Sequence, residues 1–292
     1  MRDAKVENRN VKKKVHGREE NRLVSDILIN IILLLGSSIM IIPFVWMFLT
    51  SFKTYQEAVA VPVQWFPSNW NIDNYREVLK RLDFLHYYRN TIIITIVTLI
   101  FMELIASIAA YAFARMEFPG KNAIFFVLMT VFMVPAQMTM IPKYLMITQM
   151  HLVDTLGGIV IPNLFSVYTM FMLRQSFSEL PRDLEDAARI DGCSYFRTFA
   201  QIIMPLSKGS LIAISILNLL WCWNDLLWPL IATSSDRMRV LSVAMASLQG
   251  QHGTEYQILM AAGVMTTFPL VIIYIFGQRS FVEGIAFTGV KG

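Results

Sequence analysis

The sequence predicts an all-α membrane protein with six transmembrane helices. Apolar residues make up 55% of the 292, and they are concentrated in long runs almost free of charge. A membrane helix needs about 20 mostly apolar residues, and six runs come close to or exceed that length. Lysine and arginine are distributed unevenly between the segments that join these runs, as is typical of membrane proteins. Together these observations favour a bundle of spanning helices over a soluble core.

The six runs are bounded or stopped mostly by charged residues. In chain order they lie between Asp26 and Lys53, between Arg89 and Arg115, from Lys121 to Lys143, from Leu156 to Leu173, from Lys208 to Ile231 and from Leu259 to Phe276. In the third run, Pro135 and Pro142 are expected to bend or end the helix, because proline lacks the amide hydrogen that a helix interior needs.

The distribution of lysine and arginine predicts the orientation. With both termini on the cytoplasmic side, the inner segments hold 17 of these residues and the outer segments hold 8. Positive charge is enriched on the cytoplasmic side of membrane proteins. The chain is therefore predicted to comprise a cytoplasmic tail 1–26, a first transmembrane helix 27–52, an extracytoplasmic loop 53–86, a transmembrane core 87–280 that includes a cytoplasmic loop 174–209, and a cytoplasmic tail 281–292.

Composition and motifs argue against several classes of protein. The net charge is only +4 and there is no basic cluster, so nucleic acid is not an expected partner. The cysteines Cys193 and Cys222 and the four histidines show no metal-binding spacing, so neither a metal site nor a cofactor is expected. The chain also lacks a GxxxxGK[ST] loop, which indicates that it does not bind ATP phosphates itself.

The most informative segment is the loop from Leu180 to Pro205. Pro181 suits the first turn of a helix, Gly192 suits the left-handed position that ends one, and Ser194 can cap a second helix. The spacing therefore predicts a helix–turn–helix. Within the first helix, one set of residues shares a face and two pairs have the spacing of surface ion pairs. The face comprises Leu184, Ala187, Ala188 and Asp191, and the pairs are Arg182–Asp186 and Glu185–Arg189.

Two interpretations of this small amphipathic helix remain open from its residues alone. Its alanines allow close approach of another backbone, so the helix could lie in a groove on a partner protein. It could equally rest on the bilayer surface.

Three polar residues within or near the runs are candidates for a pathway or a gate. Glu103 lies near the middle of the second run, where an ionisable side chain either lines a wet cavity or is buried in its protonated form against a neighbouring helix. Asn224 and Asp225 lie near the outer boundary among tryptophans. They belong either to an interfacial belt or to a gate, and Pro229 is expected to break the helix there.

The loop resembles the EAA loop of ABC importer permeases. Asp186-Ala187-Ala188, Gly192 and the Ile202–Pro205 segment reproduce its spacing, with aspartate in place of glutamate and Met204 in place of leucine. Further segments, in the same order along the chain, are similar to the carbohydrate-uptake branch and to the smaller permease subunit of the maltose importer type. These segments are SFKTYQEA (51–58), NYREVL (74–79), YAFARMEFPGK (111–121), ARIDG (188–192), WNDLLWPL (223–230) and the C-terminal glycines around Lys291.

The resemblance implies a fold, partners and a location. It implies a type I ABC importer permease core of five helices plus one N-terminal helix, in a bacterial plasma membrane. The implied partners are a sister permease, an ATPase dimer and an extracytoplasmic solute-binding protein, with a sugar or oligosaccharide as cargo and glycerol phosphate as the alternative. The implied ATPase-coupling residues are Glu185, Asp186, Ala187, Ala188, Arg189, Asp191, Gly192 and Lys291.

Two other function classes have less support in the sequence. A secondary transporter often shows inverted repeats, and none is evident between the two halves of the sequence. An intramembrane enzyme needs paired catalytic groups on adjacent spans, but the histidines fall outside the six runs.

Overall fold

The computed structural model describes the backbone of residues 3–250 and 253–289, and the side chains of residues 26–249 and 254–278. This part of the chain is almost entirely helical, which confirms the predicted fold class. The α-helices are α1 Asp3–Thr50, α2 Tyr55–Ala58, α3 Asp73–Arg81, α4 Phe84–Arg115, α5 Lys121–Phe132, α6 Met140–Gln149, α7 Leu156–Val160, α8 Val167–Glu179, α9 Asp183–Ile190, α10 Tyr195–Thr198, α11 Met204–Leu206, α12 Lys208–Asn224, α13 Leu227–Ala232, α14 Leu241–Ser247 and α15 Tyr256–Gly289.

Short elements of other kinds connect some of these helices. The segments Ala136–Thr139, Ile161–Asn163 and Asp236–Met238 are 3₁₀ turns, and Phe199–Ile203 is π-helical. Two strands of two residues each, β1 Gln249–Gly250 and β2 Gly253–Thr254, pair antiparallel.

Among the residues that the structure describes, three helices are individually long and apolar enough to cross a membrane. They are Asp26–Thr50 within α1, all of α4, and Tyr256–Gln278 within α15. Three bent pairs raise the number of candidate spans to six. The pairs, with the angles at their breaks, are Lys121–Phe132 with Ala136–Gln149 at 99°, Leu156–Asn163 with Val167–Glu179 at 44°, and Tyr195–Leu206 with Lys208–Asn224 at 78°.

The bends have local causes, and they refine what the sequence predicted for three runs. The third run turns at Pro135, as expected, but Pro142 lies in the first turn of α6 and does not interrupt it. The fourth run breaks before Ser166, whose side chain caps α8 by accepting a hydrogen bond from the Thr169 amide. The break expected near Asn224 and Asp225 is confirmed: α12 ends at Asn224, and Pro229 lies in the first turn of α13. Because Pro229 has no amide hydrogen, the Asp225 carbonyl is free to accept a hydrogen bond of 2.6 Å from the Ser242 hydroxyl.

Helix α4 is the centre of the bundle and packs against α8 and α12. In its C-terminal half, Ala106 and Ala110 are fully buried against Met170 and Leu173 of α8. Small residues of this kind let two membrane helices approach closely. The same cluster also includes Phe199 and Ile203, so the core extends from the spans to the loop that follows α8.

The outward surfaces of the long helices are strongly apolar. In α1, Leu34, Ile39 and Met40 are between 67% and 76% exposed. A contiguous apolar surface of this size is unfavourable in water and is suited to contact with lipid. The chain is therefore a membrane protein.

The loop after α1 is folded rather than extended. Lys53 is fully buried, donates to the Gln64 carbonyl at 2.6 Å and places its ammonium 3.8 Å from the centre of the Trp46 ring. Glu57 accepts hydrogen bonds from the backbone amides of Thr54 and Ser68, which lower the pKa of its carboxyl to about 2. The aromatic residues Trp65, Phe66 and Trp70 stay exposed, which suits a position at the water–lipid boundary.

Candidate functional site

The segment of residues 180–206, here called the 180–206 loop, forms the helix–turn–helix that the sequence predicts. Helix α9 ends where Gly192 adopts a φ of +77°, and the Cys193 amide donates to the Ala188 carbonyl at 2.9 Å. Glycine adopts this left-handed conformation without the steric cost that a Cβ imposes. Ser194 then caps the second helix by accepting a hydrogen bond from the Arg197 amide. Local residues thus determine the shape of the loop.

The two faces of α9 are very different. Glu185 and Ala188 are buried against the bundle, whereas the other sequence-predicted coupling residues within 186–192 are exposed. Next to them, Ile190 is 87% exposed and Phe196 is 72% exposed. An exposed apolar surface flanked by charges is typical of an interaction site. Lys291 lies outside the described residues.

The two surface ion pairs predicted for α9 are not formed. Glu185 instead forms a buried ion pair with Arg115 at the end of α4, with 3.3 Å between Nε and Oε1. Arg189 places its guanidinium 4.9 Å from the centre of the Tyr195 ring. The prediction of surface pairs failed because helical spacing alone cannot reveal that the packing of the loop turns Glu185 inward. Sequence reasoning also missed Arg115, which it treated only as the charge that limits the second run.

At membrane depth, Glu103 lies in a polar layer within the bundle. Ser215 and Asn218 of α12 face its carboxyl group, while its Oε1 atom is buried without a hydrogen-bond partner of normal geometry. Asn218 is buried and exchanges hydrogen bonds of 3.1 and 3.2 Å with Thr169 of α8. Polar groups from α4, α8 and α12 therefore meet where the bilayer offers no water to satisfy them.

Beside this layer, a groove opens between α5, α6, α8 and α12. Its volume is about 460 Å³, and its lining includes Lys143, Asn163, Tyr168, Asn218 and Trp221. Lys143 donates to the Asn163 side-chain carbonyl at 3.1 Å, and the Asn163 amide donates to the Ile159 carbonyl at 3.1 Å. This network orients both side chains. The arrangement combines a few polar groups with aromatic and apolar walls, as small-molecule sites do.

Asn224 and Asp225 point to different places. Asn224 is exposed and donates to the Leu220 carbonyl at 2.8 Å, whereas Asp225 lines a small cavity of about 20 Å³ together with Asn163 and Trp221. Asn163 and Trp221 thus belong to both the small cavity and the groove. The structure brings Asp225, but not Asn224, close to the groove, and Glu103 lies beside Asn218 at its edge.

The sequence did not identify several residues of the groove, although each has a recognisable feature. Lys143 was used only as the end of the third run, and Asn163 follows Pro162 inside the fourth run. Asn218 is an amide inside an otherwise apolar helix. No cluster of three or more histidine, cysteine or acidic side chains suited to a metal occurs among the residues that the structure describes.

Comparison with known proteins identifies related sequences. The family described as binding-protein-dependent transport system inner membrane component matches residues 103–286. An arabinooligosaccharide transport system permease from Halalkalibacterium halodurans is 34% identical over 87% of this chain and 92% of its own length. A diacetylchitobiose uptake system permease from Streptomyces coelicolor is 30% identical over 87% and 85%. An sn-glycerol-3-phosphate transport system permease from Brucella abortus is 27% identical over 92% and 99%.

Two solved structures share the fold. A bacterial ABC transporter involved in the import of the acidic polysaccharide alginate matches with a TM-score of 0.77 and 21% identity, over 88% of this chain and 96% of that one. The alginate transporter in complex with an alginate pentasaccharide-bound periplasmic protein matches with a TM-score of 0.64 and 13% identity, over 85% and 91%.

Proposed function

The chain belongs to the binding-protein-dependent transport system inner membrane component family, and from this premise we propose that it is the permease subunit of an ATP-driven importer of a sugar or oligosaccharide. Membership of this family confirms the resemblance derived from the sequence motifs. The remaining parts of the proposal concern the cargo, the pathway, the coupling and the partners.

A carbohydrate cargo is supported by the relatives and by the groove. Relatives with 30–34% identity carry names of arabinooligosaccharide and diacetylchitobiose systems. The groove is lined by Lys143, Tyr168 and Trp221 among others, and a lining that combines polar and aromatic side chains suits the hydroxyl groups and apolar faces of sugar rings. Glycerol phosphate is the second candidate, because a relative with 27% identity belongs to such a system.

The groove is proposed as this chain's wall of the transport pathway, completed by a sister permease. Its lining lies at membrane depth: Asn218 is ten residues into α12, which corresponds to about 15 Å of helix. Glu103 lies beside Asn218 but does not line the groove, so it is proposed to orient the Asn218 amide and not to contact the cargo itself. Asp225 is proposed to act from the adjoining cavity, near the outer end of α12. Asn224, which is exposed, is proposed to face the outer partner or the sister permease.

Coupling to ATP hydrolysis is assigned to the 180–206 loop, which would lie in a cleft of a separate ATPase subunit. The exposed face of α9 supports this role most directly, since Asp186, Ala187 and Gly192 lie on it beside the apolar side chain of Ile190. The alanine lets a partner backbone approach closely, and the isoleucine provides apolar area to bury. The absence of a phosphate-binding loop from the 292 residues supports the proposal that the ATPase is a separate chain.

The orientation and the outer partner complete the proposal. Lysine and arginine favour both termini inside a bacterial cell, which places the 180–206 loop in the cytoplasm with the ATPase. The loop 53–86 then faces outward, where an extracytoplasmic solute-binding protein would deliver the cargo. Its exposed Trp65, Phe66 and Trp70 can serve either that contact or the lipid boundary.

An uptake experiment tests this function. Cells that lack only this chain are compared with complemented cells for uptake of labelled arabinotriose, diacetylchitobiose, an alginate trisaccharide and glycerol 3-phosphate. Loss and recovery of one saccharide supports the proposal and names the cargo. Selective loss of glycerol 3-phosphate keeps the importer role and overturns the carbohydrate cargo. Uptake that persists after ATP depletion would contradict the ATP-driven mechanism.

A further inference from the structure

Arg115, the last residue of α4, is buried at the junction of three segments. Its side chain is 3% exposed, and that of Glu185, its ion-pair partner in α9, is 7% exposed. The same guanidinium donates to the Phe177 carbonyl and, at 2.6 Å, to the Leu180 carbonyl, both at the end of α8. One side chain therefore joins the ends of two spans to the first helix of the 180–206 loop.

These contacts constrain the relative positions of α4, α8 and α9, because both charged side chains are buried away from water. The planar guanidinium of Arg115 directs hydrogen bonds to the end of α8, whereas its 3.3 Å contact with Glu185 lacks hydrogen-bond geometry and is held by charge. A buried carboxylate that loses its cation is left uncompensated, which is strongly unfavourable. Separation of α9 from the end of α4 is therefore opposed far more strongly than at an exposed ion pair.

Adjacent acidic residues of α9 point in opposite directions. Glu185 faces Arg115 inside the bundle, whereas Asp186 is exposed on the outward face. A force applied to the outward face thus reaches α4 through a charged contact one residue away. In α4, Met102 lines the groove and contacts Thr169 of α8, 13 residues or about 20 Å of helix from Arg115.

We propose that the Arg115–Glu185 ion pair is the mechanical link that passes movement of the 180–206 loop to α4 and α8, and so to the groove. Arg115 and Glu185 are then positioning residues: neither contacts the ATPase or the cargo. This inference rests on the proposed function. It also changes the role of Glu185. The resemblance implies that this residue belongs to the ATPase-coupling surface, whereas here it is buried and connects α9 to α4.

The test measures how much cargo is imported for each ATP hydrolysed. The intact transporter is purified with its partners and reconstituted in liposomes, with the saccharide of the labelled panel that the wild-type chain imports. Glu185→Gln keeps the size of the side chain and removes its charge. The matched control is Glu179→Gln, which makes the same change at an exposed position at the end of α8.

In the Glu185→Gln variant we expect ATP hydrolysis to stay within about twofold while import per ATP falls about tenfold, the range of a typical coupling free energy. The Glu179→Gln control should keep the wild-type ratio. Import and hydrolysis that fall in parallel, or an unchanged ratio, would make the pair merely structural and overturn the inference.

If the Glu185→Gln complex does not assemble, Glu185→Asp replaces it, because aspartate keeps the charge but is one methylene shorter, which moves the carboxylate away from Arg115. An assembled Glu185→Asp complex with a lowered ratio of import to ATP hydrolysis supports the link, and one with the wild-type ratio overturns it.

Failure of the proposed function gives a different result. A wild-type chain that shows no ATP-dependent import of any panel member removes the premise before any variant is compared.

Discussion

The 180–206 loop and the membrane-depth groove are organised in opposite ways. In the loop, the residues that set the shape lie close together in sequence: Gly192 ends α9 and Ser194 caps the helix that follows. In the groove, Lys143, Asn163 and Asn218 come from α6, a 3₁₀ turn and α12, and they line one surface only after the bundle has formed. The proposed contact surface for the ATPase is thus encoded locally, whereas the proposed cargo site depends on the whole arrangement of helices. Variants of the loop should therefore change ATPase binding and coupling, and variants of the groove should change the KM for the cargo.

The largest effect is expected for Ile190→Asp at the exposed end of α9. Burial of an isoleucine contributes about 1.5–3 kcal/mol, and an unpaired charge in its place adds a further cost, so ATPase binding should weaken about a hundredfold. The measurement is copurification of the ATPase with the permease. Val61→Asp, at a position 94% exposed in the outer loop, is the control and should retain the ATPase. Equal loss in both variants would contradict the assignment of this surface.

Gly192→Val is expected to lower uptake by roughly tenfold. No atom lies within 4 Å of a Cβ built at Gly192, so the cost comes from forcing a β-branched residue into the left-handed region, about 1–2 kcal/mol. Gly192→Asn is the matched variant, because asparagine tolerates this conformation and should transport nearly normally. Normal uptake in the valine variant would show that the turn does not carry the coupling.

Lys143→Gln should affect the groove and leave the loop unchanged. Loss of one hydrogen-bonding cation in the pathway should raise KM for the cargo about fivefold, the order expected for a single hydrogen bond. ATPase copurification should match the wild type. A change in ATPase binding with an unchanged KM would reverse the roles assigned to the two regions.

The smallest effect is expected in the loop 53–86, which belongs to neither region. Because the folded-state pKa of Glu57 is lowered to about 2, its carboxylate stabilises the loop above the unfolded-state value near 4.5. That contribution is lost as the pH falls from about 4.5 towards about 2. Limited proteolysis of the loop should therefore accelerate over this range in the wild type and change less in Glu57→Gln. An identical pH dependence in both proteins would contradict the role of Glu57.

The contrast between the two regions also explains what the sequence could predict. The turn at Gly192, the cap at Ser194 and the bend at Pro135 follow from local backbone chemistry and agree with the structure. The inward turn of Glu185 could not be predicted, since it depends on Arg115, 70 positions away in the chain. Asn163 and Lys143 were missed for the same reason: their bond joins two helices whose relative position no local pattern records.

The π-helical segment Phe199–Ile203 lies in the part of the 180–206 loop that leads to α12. Its hydrogen bonds reach one residue further than those of an α-helix, so it takes up one extra residue within a single turn. Deletion of one residue from this segment should restore α-helical bonding and leave Asn218 and Trp221 close to their positions in the groove. Deletion of one residue early in α12 would instead rotate both side chains by about 100°. The segment is therefore a place where the chain can lose a residue and keep its groove.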